Sequence, residues 1–212
     1  MDVARFKDKS VMGILRGAEL GVIEPLIEEV ISCGLETLEI TMNSKDAVKL
    51  ISKAKAVAKT RLALGAGTVL SLDSLKQALD AGATFIVTPV LIEEISRYCV
   101  KNKIPVFPGA LSPLEIYKAW VSGATMVKVF PAKAFGPDYF KEIKEGPFQD
   151  IELLACSGVT PENLGAYFKN GASAVSFGSS VFKREWLASS DFKSIGSSIK
   201  KYLEVFSEGK QW

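Results

Sequence analysis

Hydrophobic and polar positions follow two different periods along this chain. Apolar runs rich in β-branched residues recur every 20 to 26 residues, and the stretches between them carry the 3.6-residue spacing of amphipathic helices. Several of these helical stretches end at a glycine just before the next run, as expected at a helix C-terminus. The runs lie at 11–16, 37–42, 61–69, 84–89, 104–110, 125–131, 151–158 and 173–180. The glycines are Gly34, Gly82, Gly123 and Gly171.

Strands that alternate with helices predict a parallel sheet with right-handed crossovers. Eight such units in 212 residues favour an α/β fold, a (β/α)8 TIM barrel, as a single compact domain over residues 1–212. The first ten residues are predicted to form a short N-terminal helix at the barrel floor. An open, doubly wound sheet is the alternative, but the stretch "GILRGAEL" lacks the G-x-G-x-x-G expected after its first strand.

Charged residues in three of the predicted strands are candidate site residues. Arg16 ends the first, Glu39 lies in "LEIT" of the second, and Lys128 lies in "MVKVF" of the sixth. Successive side chains of a strand point to opposite faces of the sheet. Glu39 therefore lies on the face opposite to Leu38 and Ile40, and Lys128 lies on the face opposite to its flanking valines. If the apolar pairs face the helices, both charges point into the barrel. The second and sixth strands of eight are diametrically opposed, which predicts an acid and an amine facing each other.

Composition narrows the chemistry of such a site. The chain has no histidine, which excludes Ser-His and Cys-His triads and HExxH zinc sites, and no metal site is predicted. The net charge of +2 gives no reason to expect nucleic acid or a lipid surface as partner. No apolar stretch approaches the roughly 18 residues of a membrane helix. Three scattered cysteines and no visible signal peptide predict a cytoplasmic location.

A buried lysine beside a carboxyl group suggests imine chemistry. Desolvation is expected to lower the pKa of Lys128 and expose a neutral amine that attacks carbonyl carbons. The protonated imine then acts as an electron sink, and Glu39 can move protons. The pair therefore favours carbon–carbon bond cleavage.

Ten short motifs from Ile14 to Val181 together resemble one enzyme family. In chain order they read "ILRG", "LEIT", "GAGTVL", "FIVTP", "PGALSP", "VKVFPA", "FGPDYF", "GPF", "GVTPENL" and "GSS". They resemble the class I 2-keto-3-deoxy-6-phosphogluconate (KDPG) aldolases, with the related 4-hydroxy-2-oxoglutarate (KHG) and phosphogalactonate (KDPGal) aldolases. The resemblance implies a lyase that releases pyruvate and an aldehyde such as glyceraldehyde 3-phosphate from a six-carbon phosphosugar acid, with KHG as a further candidate substrate. It also implies a homotrimer without cofactor or metal.

The resemblance also suggests roles for individual residues. Lys128 matches the family's Schiff-base lysine and Glu39 its general acid/base. Arg16 matches a carboxylate-binding arginine, Thr68 a contact to pyruvate, and Pro89 and Phe130 apolar walls. The predicted substrate-binding set is Arg16, Asn43, Thr68, Pro89, Phe130 and Cys156.

Two departures from the family bear on the substrate. Asn43 stands where the gluconate branch often has Arg, which with "ILRG" and "AFGP" favours the galactonate branch. Cys156-Ser157-Gly158 replaces the Thr-Gly-Gly or Val-Gly-Gly of much of the family after the seventh strand. The sequence therefore leaves the sugar stereochemistry open.

The last two strands are followed by stretches typical of a phosphate site. Loops at this place in such barrels bind phosphate through backbone N–H groups. Here Thr160 is a predicted N-cap with Pro161 at the first helical position, and Cys156 is expected beside the C4 hydroxyl of the substrate. The predicted phosphate-binding residues are Ser157, Gly158, Gly178, Ser179 and Ser180.

Two other functions stay open from the sequence. One is a phosphosugar isomerase or synthase on the same barrel, with Glu39 as base and Lys128 as a charged contact without imine formation. The other is a ligand-binding barrel that has lost catalysis, although the presence of both residues argues against it.

Overall fold

The strands form one parallel sheet that is nearly a ring. The computed structural model describes residues 11–209. Around the sheet the strands follow the order β5-β4-β3-β2-β1-β9-β8-β7-β6. They are β1 Val11–Leu15, β2 Thr37–Thr41, β3 Ala63–Gly67, β4 Ile86–Val87, β5 Val106–Phe107, β6 Gly109–Ala110, β7 Val127–Val129, β8 Leu153–Cys156 and β9 Ala174–Phe177.

The two ends of this sheet meet at Pro108. β5 and β6 are the halves of one barrel strand, and Pro108 separates them because it has no N–H to donate. On one side Thr88 N–H donates to Phe107 O at 3.2 Å, and on the other Lys128 N–H donates to Pro108 O at 2.9 Å. This segment therefore joins β4 to β7 and closes an eight-stranded barrel. The (β/α)8 prediction is confirmed, and the open-sheet alternative is wrong.

Helices connect successive barrel strands, as the sequence pattern predicts, and two more follow the last strand. They are α1 Ile23–Ser32, α2 Ala47–Ala58, α3 Leu72–Asp80, α4 Glu93–Lys101, α5 Pro113–Val121, α6 Asp138–Glu145, α7 Pro161–Lys169, α8 Arg184–Ala188 and α9 Phe192–Glu208, with a 3-10 turn at Ala132–Ala134. The four predicted helix-end glycines have φ between 86° and 103°. The helix predicted for residues 1–10 lies outside the described residues. Within 11–209, no helix combines the length and apolar character needed to span a bilayer.

Two apolar clusters lie on the two faces of the sheet. The larger one packs the helices against outward positions such as Leu38, Ile40, Val127 and Val129. The smaller one fills the barrel interior. Its members are Met12, Ala63, Phe85, Val87, Phe107, Met126, Leu154 and Ala174. The predicted parity is confirmed, since the apolar neighbours of Glu39 and Lys128 face the helices.

Candidate active site

A polar layer lies directly above the apolar interior on three adjacent strands. Inward positions of a strand are two residues apart, so each interior apolar residue is followed by another inward side chain. After Met126, Leu154 and Ala174 these are Lys128, Cys156 and Ser176. All three are buried, and Cys156 lies in register with Ser176 across β8 and β9. Ser176 is a site residue that the sequence interpretation missed, although its alternation with Ala174 could have revealed it.

Glu39 lies across the barrel from this layer. Its strand β2 is four positions from β7 in either direction around the closed ring. Glu39 is 1% exposed and Lys128 is 7% exposed. Within residues 11–209, the Oε2 atom of Glu39 has no hydrogen-bond partner. Because buried polar atoms are normally paired, this oxygen is available to a substrate or a water molecule.

The two charged groups influence each other's protonation. Burial raises the pKa of Glu39, and the charges of Lys128 and Arg16 oppose that shift. Burial lowers the pKa of Lys128, but the charges of Glu39 and Cys156 and a hydrogen bond to Cys156 outweigh it and raise the pKa above its ordinary value. The prediction that the pKa of Lys128 is lowered is therefore wrong, because the neighbouring groups raise this pKa by more than burial lowers it. The amine must give up a proton inside the barrel before it can act as a nucleophile.

Cys156 lies between the amine and Ser176. Burial raises the pKa of its thiol, while the charge of Lys128 and a hydrogen bond with Ser176 act in the opposite direction. Ser176 Oγ also donates to Ala155 O at 3.1 Å. A buried thiol of this kind stays protonated near neutral pH and is chemically inert. Near neutral pH Cys156 is therefore a neutral neighbour of Lys128, and its charge raises the Lys128 pKa only at the alkaline pH where the thiol ionises.

Arg16 and Thr68 meet above Glu39. They follow β1 and β3, the two strands that flank β2, and Arg16 Nη2 donates to Thr68 Oγ1 at 3.4 Å. Arg16 is exposed, yet its charge acts to lower the pKa of both Glu39 and Lys128. The structure thus brings two predicted substrate-binding residues together at the open end of the barrel.

Apolar residues border the same opening on the side of β4 and β7. The Phe130 ring centroid is 5.4 Å from Lys128 Nζ, within the range of a cation–π contact. Phe130 and Pro89 line one pocket of about 320 Å³, with Gly109 and Ala110 of β6 between them. The role of Pro89 and Phe130 as apolar walls of the substrate site stays a prediction.

The loop after β2 contributes Ser44 as well as Asn43. Asn43 is exposed, and its side chain makes no hydrogen bond within the described part of the chain. The Ser44 hydroxyl accepts the Gly17 N–H at 3.0 Å and lies 3.0 Å from Thr41 Oγ1. Ser44 therefore fixes the loop beside Arg16, a role that no sequence pattern indicates. Asn43 stays a prediction.

The predicted phosphate loops follow two paired strands. Ser157 and Gly158 follow β8 and have φ of 81° and 79°, and Gly178, Ser179 and Ser180 follow β9. A left-handed backbone favours glycine, the residue that the family resemblance implies at this position, whereas here a serine adopts it. Thr160 caps α7 and Pro161 is in its first turn, as predicted. In residues 11–209, no group of three or more His, Cys, Asp or Glu residues could hold a metal ion.

Comparison with known proteins identifies the family. A family model described as KDPG and KHG aldolase matches residues 3–198. The chain belongs to this aldolase family. It is 30% identical over 195 residues to the 2-dehydro-3-deoxy-6-phosphogalactonate aldolase of Escherichia coli K12, which covers 92% of this chain and 95% of that one. This aldolase is therefore a carbon–carbon lyase, as the sequence predicts.

Solved structures of relatives share the aldolase fold. A structure named native KDPGal matches with a TM-score of 0.89 and 29% identity, over 95% of this chain and 96% of that one. A KDPG aldolase from Legionella pneumophila, with pyruvate captured as a covalent carbinolamine, matches with a TM-score of 0.86 and 25% identity, over 94% and 97%. The family and these relatives establish class I, Schiff-base aldolase chemistry for the chain.

Gly67 is a third residue that sequence interpretation missed. It lies at the end of β3, and a Cβ atom placed on it would lie 2.3 Å from Glu39 Oε1 and 2.6 Å from the carboxyl carbon. Real Cβ atoms do not approach an oxygen so closely, so the glycine leaves the space that the carboxyl group occupies. The sequence offers only a lone "GAG", which is a weak signal for any site.

We expect Gly67→Ala to lower turnover about 10²-fold, because an added methyl group must displace the Glu39 carboxyl group, and small misplacements have effects of this size. Steady-state pyruvate release measures the loss, and thermal unfolding checks that the barrel still folds. Gly21→Ala is the matched control, since a Cβ at Gly21 would meet nothing within 4 Å. A folded Gly67→Ala variant with wild-type turnover would contradict the role given to this glycine.

Proposed function

We propose that this aldolase cleaves a 2-keto-3-deoxy-6-phospho sugar acid, KDPG or KDPGal, to pyruvate and glyceraldehyde 3-phosphate through an imine on Lys128. The observation that carries the proposal is a buried amine facing a buried carboxyl group with an unpartnered oxygen. The pyruvate carbinolamine of the Legionella pneumophila relative supports it.

Imine formation begins with a proton transfer inside the barrel. The Lys128 ammonium passes a proton to Glu39, directly or through water, because burial raises the pKa of the carboxyl group and makes it a competent acceptor. The neutral amine attacks the C2 carbonyl carbon and forms a carbinolamine. Glu39 returns the proton to the departing hydroxyl group, so water leaves and a protonated imine remains.

Cleavage then uses the imine as an electron sink. A base removes the C4 hydroxyl proton, the C3–C4 bond breaks, and its electron pair moves into the imine to give an enamine on Lys128. The C4 fragment leaves as the aldehyde. Protonation of the enamine at C3 and addition of water release pyruvate and restore the amine. Glu39 is the group placed to move both protons.

The substrate is held from two sides of the opening in this proposal. Arg16 and Thr68 bind the carboxylate end, where a guanidinium and a hydroxyl group suit an anion. Pro89 and Phe130 supply the apolar wall beside Lys128. Asn43 and Cys156 contact the hydroxyl groups of the substrate. The names of the Escherichia coli relative and of the native KDPGal structure favour the galactonate substrate.

Trapping the imine tests the mechanism directly. We expect incubation with pyruvate and borohydride to leave one stable adduct, which peptide mass spectrometry places on Lys128. An isomerase, a synthase without an imine, or a binding protein would gain none. Failure to form any adduct under conditions that label a known family member would reject the proposal.

The phosphate group is proposed to bind at the loops after β8 and β9. Ser157, Gly158 and Gly178 have a small side chain or none, which leaves the loop backbone accessible, and Ser179 and Ser180 are exposed. Within residues 11–209, the N–H groups of Gly158, Ser179 and Ser180 donate to no backbone carbonyl. Free N–H groups at such loops suit an anion.

We expect kcat/KM to be at least tenfold higher for the phosphorylated six-carbon acid than for its unphosphorylated analogue, which corresponds to about 1.4 kcal/mol of transition-state binding. Pyruvate release measured on both substrates and on 4-hydroxy-2-oxoglutarate supplies the comparison. Equal rates on the two six-carbon acids, or a strong preference for 4-hydroxy-2-oxoglutarate, would reject the phosphate site.

We also infer a homotrimer in a reducing, cytoplasmic compartment. Leu114, Tyr117 and Val121 are exposed along one face of α5, which supports contact with another subunit. The three cysteines are free and buried, which supports the compartment. Light scattering during gel filtration tests the assembly, and a monomeric mass would reject it.

A further inference from the structure

One buried phenol connects the two loops proposed to hold phosphate. Tyr202 lies on α9, is 2% exposed, and packs its ring against Phe177 of β9 with 4.6 Å between centroids. Its hydroxyl donates to Val159 O at 2.9 Å, in the loop after β8. The Ser180 hydroxyl, in the loop after β9, lies 3.1 Å from the same oxygen. A single oxygen atom thus ties the two loops together.

The direction of these hydrogen bonds follows from the groups involved. A phenol has one proton, and the Val159 carbonyl can only accept, so Tyr202 donates to Val159. The Ser180 hydroxyl must then donate its own proton to the phenol oxygen. Ser180 consequently has only its backbone N–H left to donate to an anion. Burial raises the pKa of Tyr202, so the phenol stays a donor around neutral pH.

The loops need such a tie because their own backbone bonds are few. The Gly158, Ser179 and Ser180 N–H groups are unbonded to other backbone within the described chain, and Ser157 holds a left-handed conformation that is unfavourable for a side-chain-bearing residue. In the loop after β8, the Asn163 side-chain amide also donates to Gly158 O at 2.9 Å. That bond stays within one loop and its helix, whereas Tyr202 sets the distance between the two loops.

We propose that Tyr202 is a positioning residue of the phosphate subsite, which holds the loops after β8 and β9 at the spacing that lets their N–H groups converge on one phosphate dianion. This inference rests on the proposed phosphate site. The phenol acts through Val159 and Ser180 and does not itself touch the substrate. Its loss should therefore affect the phosphate end of the substrate and leave the chemistry at Lys128 intact.

Tyr202→Phe tests the inference, because it removes one oxygen atom and keeps the ring on Phe177. We expect KM for the phosphorylated acid and the inhibition constant of inorganic phosphate to rise about tenfold, while kcat stays within twofold of wild type. For the unphosphorylated acid we expect kcat/KM within twofold of wild type. Ser180→Ala, which removes one of the two hydrogen bonds to the phenol, should raise KM by a smaller factor.

Tyr167→Phe is the matched control, since Tyr167 is also a buried tyrosine and packs on Phe140 with 5.2 Å between ring centroids. It should leave every constant unchanged. If Tyr202→Phe changes neither KM nor phosphate inhibition, or alters both substrates equally, the positioning role is overturned. If wild type itself shows no preference for the phosphorylated acid, the phosphate site is rejected, and the inference falls with it.

Discussion

We expect that replacing Lys128 with arginine abolishes pyruvate release and leaves the barrel folded. Arginine retains the positive charge, but its guanidinium stays protonated and cannot form an imine. Steady-state assays measure the loss, and borohydride trapping with pyruvate should give no adduct in the variant. Circular dichroism and thermal unfolding show whether the fold survives.

A second variant separates chemistry from packing. Arginine is larger than lysine and Lys128 is buried, so overpacking could disturb the interior. Lys128→Met keeps a similar length without an amine and should also be inactive. Lys141→Arg is the control, because Lys141 is exposed on α6, near Glu145 at 3.7 Å, and should behave as wild type. Near-normal turnover in either folded Lys128 variant would contradict the imine mechanism.

Replacing Glu39 with glutamine should separate imine formation from turnover. We expect turnover to fall by about 10²-fold or more, the usual contribution of acid/base catalysis. The pyruvate adduct should still form on Lys128, although more slowly, because the amine itself is unchanged. Rapid-quench trapping measures adduct formation, and pyruvate release measures turnover. If the folded variant turned over normally, Glu39 would be only a structural partner of Lys128.

The same variant predicts a shift in pH dependence. The carboxylate charge of Glu39 raises the pKa of Lys128, while burial lowers it. Without that charge, the Lys128 pKa falls, and the neutral amine becomes available at lower pH. The midpoint of adduct formation against pH should therefore lie lower in Glu39→Gln than in wild type. A midpoint that is unchanged or higher would show that the two groups are not coupled through the barrel.

The sequence alone determines the fold and the central pair because both follow from short-range periodicity. Eight β-rich runs separated by helical spacing leave few topologies other than a closed barrel, and the structure forms strands within all eight. The two-residue period of a strand also places Glu39 and Lys128 opposite their apolar neighbours. Opposed strands then bring the acid and the amine face to face.

Only the tertiary structure decides the features that depend on groups from different strands. The pKa of Lys128 is raised because Cys156 and Glu39 reach it from β8 and β2, which no local pattern reveals. Gly67 matters because the Glu39 carboxyl group occupies the space of its missing side chain. Tyr202 is 43 residues from Val159 in sequence, yet it ties that loop to Ser180. Distances between such groups are set by closure of the barrel and packing of α9, and periodicity carries no information about either.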